Sequence, residues 1–233
     1  MRMAMMLSAA GAYARVIDDN RDWIAPVKPA LVITDRDCPA YRYFAEQTDV
    51  PTICLPFETY SSREAFEAAC LAELRYHEID FLFLNFNRLL GPTLLEAYPG
   101  RIFNLHSALL PLYKGFGAIK GAFESDMLYV GATIHQVSPA MDDGPVLAQA
   151  LVGKIPGESY DDFYARYLRE TAPMAVSFLR ELGKDWPEYR DGRWTLPSAR
   201  YGSALINPMP DFDPARLDLS ALEERLQKPV LVS

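Results

Sequence analysis

Apolar runs long enough to cross a bilayer are missing from this chain of 233 residues. None approaches the roughly 18–20 residues that a spanning helix needs, which excludes a helical membrane protein. An excess of basic residues is missing too: 23 Lys and Arg stand against 31 Asp and Glu, a formal net charge of −8. A nucleic-acid surface needs a basic footprint, so no nucleic-acid partner is expected. Cysteine is scarce and odd in number, at Cys38, Cys54 and Cys70. That count and spacing give neither a disulfide framework nor a zinc site, and the three read as reduced core residues of a cytoplasmic protein. Histidine occurs only three times, no cluster has metal-ligand spacing, and no metal is expected. The apolar start of the chain has one positive charge and small residues, like a signal peptide. It reads better as a buried first strand, Met3–Ser8, running into a turn at Gly11.

What is present is a globular composition, half apolar and 23% charged, able to bury a substantial core. Short β-rich runs alternate with helical periodicities. Ala30–Thr34, Val50–Leu55, Asp80–Asn85 and Arg101–Leu105 read as strands. Cys38–Thr48, Ser61–His77 and Pro92–Tyr98 read as helices, with Ser61 or Ser62 as an N-cap. This order predicts an α/β fold, a doubly wound and mostly parallel sheet with helices on both faces. Gly131–Val137 and Val146–Val152 read as strands of an antiparallel extension. Ser159–Leu182 reads as a long helix that Pro173 kinks or divides. After Gly183 the periodicity is lost among prolines, glycines and aromatics. The expected division is a main domain over 1–183 and a short, irregular, strand-poor C-terminal extension over 184–233 packed on it, with a closing helix at Asp218–Gln227.

The chemistry is concentrated at Asn104-Leu105-His106-Ser107-Ala108-Leu109-Leu110-Pro111. Asn104 and His106 flank Leu105 at a strand end, so both side chains face one way, toward the place where open parallel sheets hold ligands. An amide beside an imidazole can stabilise a developing oxyanion; a structural histidine beside a turn-forming asparagine is the plainer alternative. Further on, Met141-Asp142-Asp143-Gly144-Pro145 forms a tight turn with one acid directed inward, or simply a solvated one. His135, on the strand before it, reads as a wall or core residue.

Taken together, Asn104, His106 and Leu109-Leu110-Pro111, then Gly131, Thr133 and His135, then Asp142 and Gly144, resemble the folate-dependent formyltransferases. Ser62-Arg63-Glu64-Ala65, Phe86–Leu90 and Glu158–Asp162 extend the resemblance over roughly Ser61–Leu182. It implies a formyltransferase-like Rossmann-type fold and an N10-formyltetrahydrofolate-dependent N-formyltransferase acting on a small-molecule amine acceptor. Asn104 and His106 would hold the oxyanion. Asp142 would balance charge on His106 and, through an ordered water, help move the proton from the amine to the departing folate nitrogen. The folate would lie against Arg88, Leu89, Leu90, Ala140 and Met141, with Arg63 and Arg88 near its glutamate tail. The acceptor would lie by Gly11, Ala12, Tyr13 and Ser107.

Departures from the family pattern bear on the acceptor. Ribonucleotide-binding members carry a Gly/Ser/Asn-rich turn after the first strand, where backbone donors cradle phosphate. Here the turn is Ser8-Ala9-Ala10-Gly11-Ala12-Tyr13, and Ser107-Ala108 has the usual order of types exchanged. The segment after Gly183 is too short for an RNA-binding barrel, so initiator tRNA is not expected. The main expectation is therefore a different small amine, with phosphoribosylglycinamide formyltransferase with an altered phosphate loop as the alternative. A formyltetrahydrofolate hydrolase and a non-catalytic folate-binding protein are further alternatives. The sequence leaves a homo-oligomer open.

Overall fold

A computed structural model describes residues 1–222. The elements in chain order are β1 (Arg2–Leu7), α1 (Ala12–Asp19), β2 (Lys28–Thr34), α2 (Pro39–Gln47), β3 (Thr52–Cys54), α3 (Arg63–Tyr76), β4 (Phe81–Asn85), α4 (Pro92–Ala97) and β5 (Ile102–His106). There follow α5 (Ala118–Glu124), β6 (Tyr129–Gln136), β7 (Val146–Gly153), α6 (Tyr160–Leu182), β8 (Glu188–Arg190), β9 (Arg193–Thr195) and β10 (Ile206–Asn207).

Eight strands form one sheet in the order β10-β7-β6-β5-β4-β1-β2-β3. The strands from β1 to β5 pair in parallel, and β6, β7 and β10 continue the sheet antiparallel. The chain leaves β1 toward β3 and then returns to the other side of β1 at β4. That reversal opens a crevice at the carboxyl ends of β1 and β4.

The continuous apolar strands have a simple cause: both faces of the sheet are covered, so alternate residues enter two different cores. Met3, Met5, Leu7, Phe81, Phe83, Phe103 and Leu105 pack on one side with residues of α1, α2 and α6. Ala4, Met6, Leu31, Ile33, Leu82, Leu84 and Ile102 pack on the other with α3 and α4. Each fully buried phenylalanine contributes about 2–3 kcal/mol by leaving water. Ser62 caps α3 by accepting the Ala65 N–H at 3.2 Å, as the capping pattern predicts.

Two details differ from the sequence reading. Pro173 does not divide α6, which is continuous over 23 residues. Its second half, Thr171–Leu179, is buried throughout, and that packing outweighs the hydrogen bond that the proline removes. The segment after Gly183 also contains more strand than expected: β8 and β9 form a hairpin, and β10 joins the main sheet beside β7. Trp186 meets Phe81 and Phe103 at ring centroid distances of 5.8 and 5.6 Å, and Leu196 is wholly buried, so this segment shares the main core. The second half of the expected helix at Asp218–Gln227 lies outside the described residues. Among the described residues, no helix is long and apolar enough to cross a membrane.

Candidate active site

The site begins with strand register. In the antiparallel pairing of β5 with β6, Asn104 lies directly opposite His135 and His106 opposite Thr133. Opposite residues share a face, so Asn104 Nδ2 donates to His135 Nε2 at 3.1 Å. His135 Nδ1 in turn donates to the Gln136 carbonyl at 3.1 Å. One of the two Asn104 amide hydrogens is thereby used, which leaves the other for a ligand.

The turn between β6 and β7 brings Asp142 back over this pair. Its Oδ1 lies 3.4 Å from His135 Nε2 and its Oδ2 lies 3.4 Å from His106 Nδ1. Oδ2 also accepts the Gly115 N–H at 2.8 Å. Asp142 adopts a left-handed backbone, φ 49°. Gly144 explains the glycine of this turn: a Cβ there would lie 1.7 Å from the Gln136 carbonyl oxygen. Gly131 has the same reason, since its Cβ would meet the Ala150 carbonyl oxygen at 1.9 Å.

His106 is buried, and its Nε2 donates to the Tyr113 carbonyl at 2.8 Å. Both of its ring nitrogens therefore face acceptor oxygens, an arrangement that a doubly protonated ring satisfies. Burial raises the Asp142 carboxyl, but the His135 and His106 rings beside it and the hydrogen bond from the Gly115 N–H outweigh it. The result is a carboxyl brought down to about 2. Asp143 points away and pairs with Lys114 on the surface.

These groups line a cleft of about 300 Å³ at the carboxyl ends of β4 and β5. Its walls include Arg88, Leu89 and Leu90 on one side and Ala140 and Met141 on the other, with Ser107 on its floor. Arg63 does not line it but stands exposed on α3 against Gly91. Gly11, Ala12 and Tyr13 lie outside its lining too. Gly11 turns with φ 64°, its Cα facing Ala40, while Ala12 and Tyr13 are buried. The Tyr13 hydroxyl bonds Thr171 Oγ1 at 2.7 Å. The hydroxyl of the fully buried Tyr167 donates to the Gly131 carbonyl at 3.1 Å.

His135, read from the sequence as a wall or core residue, is buried in the cleft wall; its contacts with Asn104 and Asp142 depend on its strand register against Asn104. The Tyr113 carbonyl and the Gly115 N–H left no mark in the sequence because backbone groups are common to all residues. Among the described residues, no cluster of His, Cys, Asp or Glu could hold a metal ion.

Known proteins similar to this chain include phosphoribosylglycinamide formyltransferases. The phosphoribosylglycinamide formyltransferase of Bacillus subtilis is 36% identical over 139 residues, 59% of this chain and 69% of its own length. That of Mycobacterium tuberculosis is 32% identical over 166 residues, 71% of this chain and 77% of its own. The crystal structure of glycinamide ribonucleotide transformylase 1 from Geobacillus kaustophilus superposes with a TM-score of 0.73 at 35% identity, covering 78% of this chain and 97% of that one. The corresponding protein from Symbiobacterium toebii gives 0.78 at 29% identity, covering 83% and 92%. The family profile described as formyl transferase matches residues 1–178, and so the chain belongs to the formyl transferase family and is a formyl-transferring enzyme.

Proposed function

We propose that this enzyme transfers the formyl group of N10-formyltetrahydrofolate to the primary amine of a small molecule, and that glycinamide ribonucleotide is the first acceptor to test. The observation that carries the reading is the convergence of Asn104, His106, His135 and Asp142 on one cleft. The acceptor comes from the names of the relatives, which favour it over an unrelated amine.

The cleft suits a folate. It lies between two loops and is apolar at Leu89, Leu90 and Met141. Arg88, Leu89, Leu90, Ala140 and Met141 would hold it. When bound, the folate supplies a formyl group activated by its attachment to N10.

The remaining chemistry belongs to the side chains. The unused Asn104 Nδ2 hydrogen and the His106 imidazole are the donors for negative charge on the formyl oxygen. The His106 Nε2 hydrogen is held by the Tyr113 carbonyl, and its donation to a ligand requires that bond to be exchanged. Asp142, ionised at neutral pH, balances positive charge on His106 and accepts protons only transiently, through water. His135 fixes the carboxylate and the amide relative to each other.

A second reading, an acceptor without a ribose phosphate, is favoured by one observation. In the turn after β1, which is Gly/Ser/Asn-rich in the ribonucleotide-binding members, Tyr13 stands as a buried aromatic bonded to Thr171. The experiment is release of tetrahydrofolate from N10-formyltetrahydrofolate in the presence of glycinamide ribonucleotide, nucleotide-linked amino sugars, hydroxyornithine or no amine. Release with glycinamide ribonucleotide alone supports the first reading, and release with another amine alone supports the second. Release without amine identifies a hydrolase and overturns both.

A further inference from the structure

Arg88 brings a cation to the wall of the cleft, and its surroundings define what that cation does. Its Nε donates to Asp35 Oδ2, its outer nitrogen lies 3.5 Å from Glu58 Oε1, and its guanidinium covers the Phe57 ring at 3.7 Å from the centroid. Asp35 follows β2 and has no exposed side-chain surface. It accepts from Arg36 as well, at 3.2 and 3.0 Å, and these arginines hold its carboxyl below the usual range although burial opposes them.

The loop that carries Arg88 is fastened at both ends. The Asn87 N–H donates to Ser8 Oγ at 2.9 Å. The buried Glu67 carboxylate accepts the Gly91 N–H and, at 3.4 Å, the Leu94 N–H. Arg63, the other cation that the family resemblance places near the folate tail, is outside the cleft lining.

We propose that Arg88 and Asp35 are positioning residues for the loop 87–91, and that the donor is held by its ring system rather than by ion pairs to its tail carboxylates. The inference rests on the folate reading of the cleft. Its physical basis is a comparison of two bonds. The bond of Arg88 to Asp35 is shielded and charge-assisted, whereas a bond to a carboxylate at the mouth of the cleft competes with water and salt. Exchanging the first for the second would also release the loop that forms the wall.

The test is calorimetric titration of the full chain with a non-transferable 10-formyl folate analogue and with the same analogue lacking its glutamate. The unaltered chain is expected to bind both with affinities of the same order. Arg88→Ala is expected to weaken both equally, by about tenfold, the effect of losing one charge-assisted hydrogen bond. Asp35→Asn, which keeps the shape and one acceptor oxygen, weakens both equally and by less. If Arg88→Ala does not fold, as judged by its near-ultraviolet circular dichroism, Arg88→Lys and Asp35→Asn carry the same comparison. A loss confined to the glutamylated analogue overturns the proposal, because Arg88 then binds the tail. Unchanged affinities in every variant overturn it as well. Failure of the unaltered chain to bind either analogue removes the folate reading itself, a result distinct from any pattern among the variants.

Discussion

Replacing Asp142 by asparagine keeps the volume of the side chain and an acceptor oxygen for the Gly115 N–H, but removes the charge facing His106 and His135. The Asp142 carboxyl is brought from 3.8 to about 2 by the fold. A group whose folded value is depressed contributes stability above its unfolded value and loses it as pH falls through the folded one. The shift corresponds to about 2 kcal/mol at pH 5–7, falling to about 1 kcal/mol by pH 3. Urea unfolding of the unaltered protein and Asp142→Asn, followed by tryptophan fluorescence, gives the difference in stability at each pH. That difference should be nearly constant from pH 7 to pH 5 and shrink by about 1 kcal/mol on going to pH 3. A difference that stays constant to pH 3, or grows, would refute the assignment of Asp142 as the carboxylate held by these histidines. In the same variant turnover should fall by about a hundredfold or more, the effect of removing a group that works in proton transfer.

Two further substitutions probe the frame of the site. Gly144→Ala places a Cβ 1.7 Å from the Gln136 carbonyl oxygen, so the turn carrying Asp142 must shift; a loss of about 2–4 kcal/mol is expected in denaturant unfolding, with a fall in turnover. His135→Leu removes the group between Asn104 and Asp142; turnover should drop by about a hundredfold, and the Asp142 carboxyl should rise from about 2 toward 3.8, measurable by carbon-13 NMR titration.

Much of this site was legible in the sequence because it depends on local geometry. Asn104 and His106 are two apart on one strand, which puts them on one face whatever the rest of the chain does. Asp142 was separable from Asp143 only through the Asp-x-Gly pattern of the family it resembles, and the structure turns Asp142 inward and Asp143 out to Lys114. The apolar run Phe81–Leu84 read as a strand covered on both faces, and its residues do alternate between the two cores. Other features depend on partners distant in the chain. His135 reads as a wall residue until β6 is set against β5 and its ring meets Asn104. Arg88 reads, from the family resemblance, as a cation near the folate's glutamate tail until Asp35, from another strand end, is found beside it.

Periodicity and turn chemistry act over a few residues, and they determined the elements and their alternation into a doubly wound sheet; the family resemblance singled out the three polar residues of the cleft. Tertiary structure decided whether each of those groups is available to a ligand. It engaged His106 with the Tyr113 carbonyl, buried Tyr13 against Thr171, and paired Arg88 with Asp35. It also set β10 beside β7, in a segment whose own pattern favours no strand. The physical reason is common to these cases. A polar group buried by folding must find a partner, and which partner it finds is settled by strand order and packing, which no local pattern encodes.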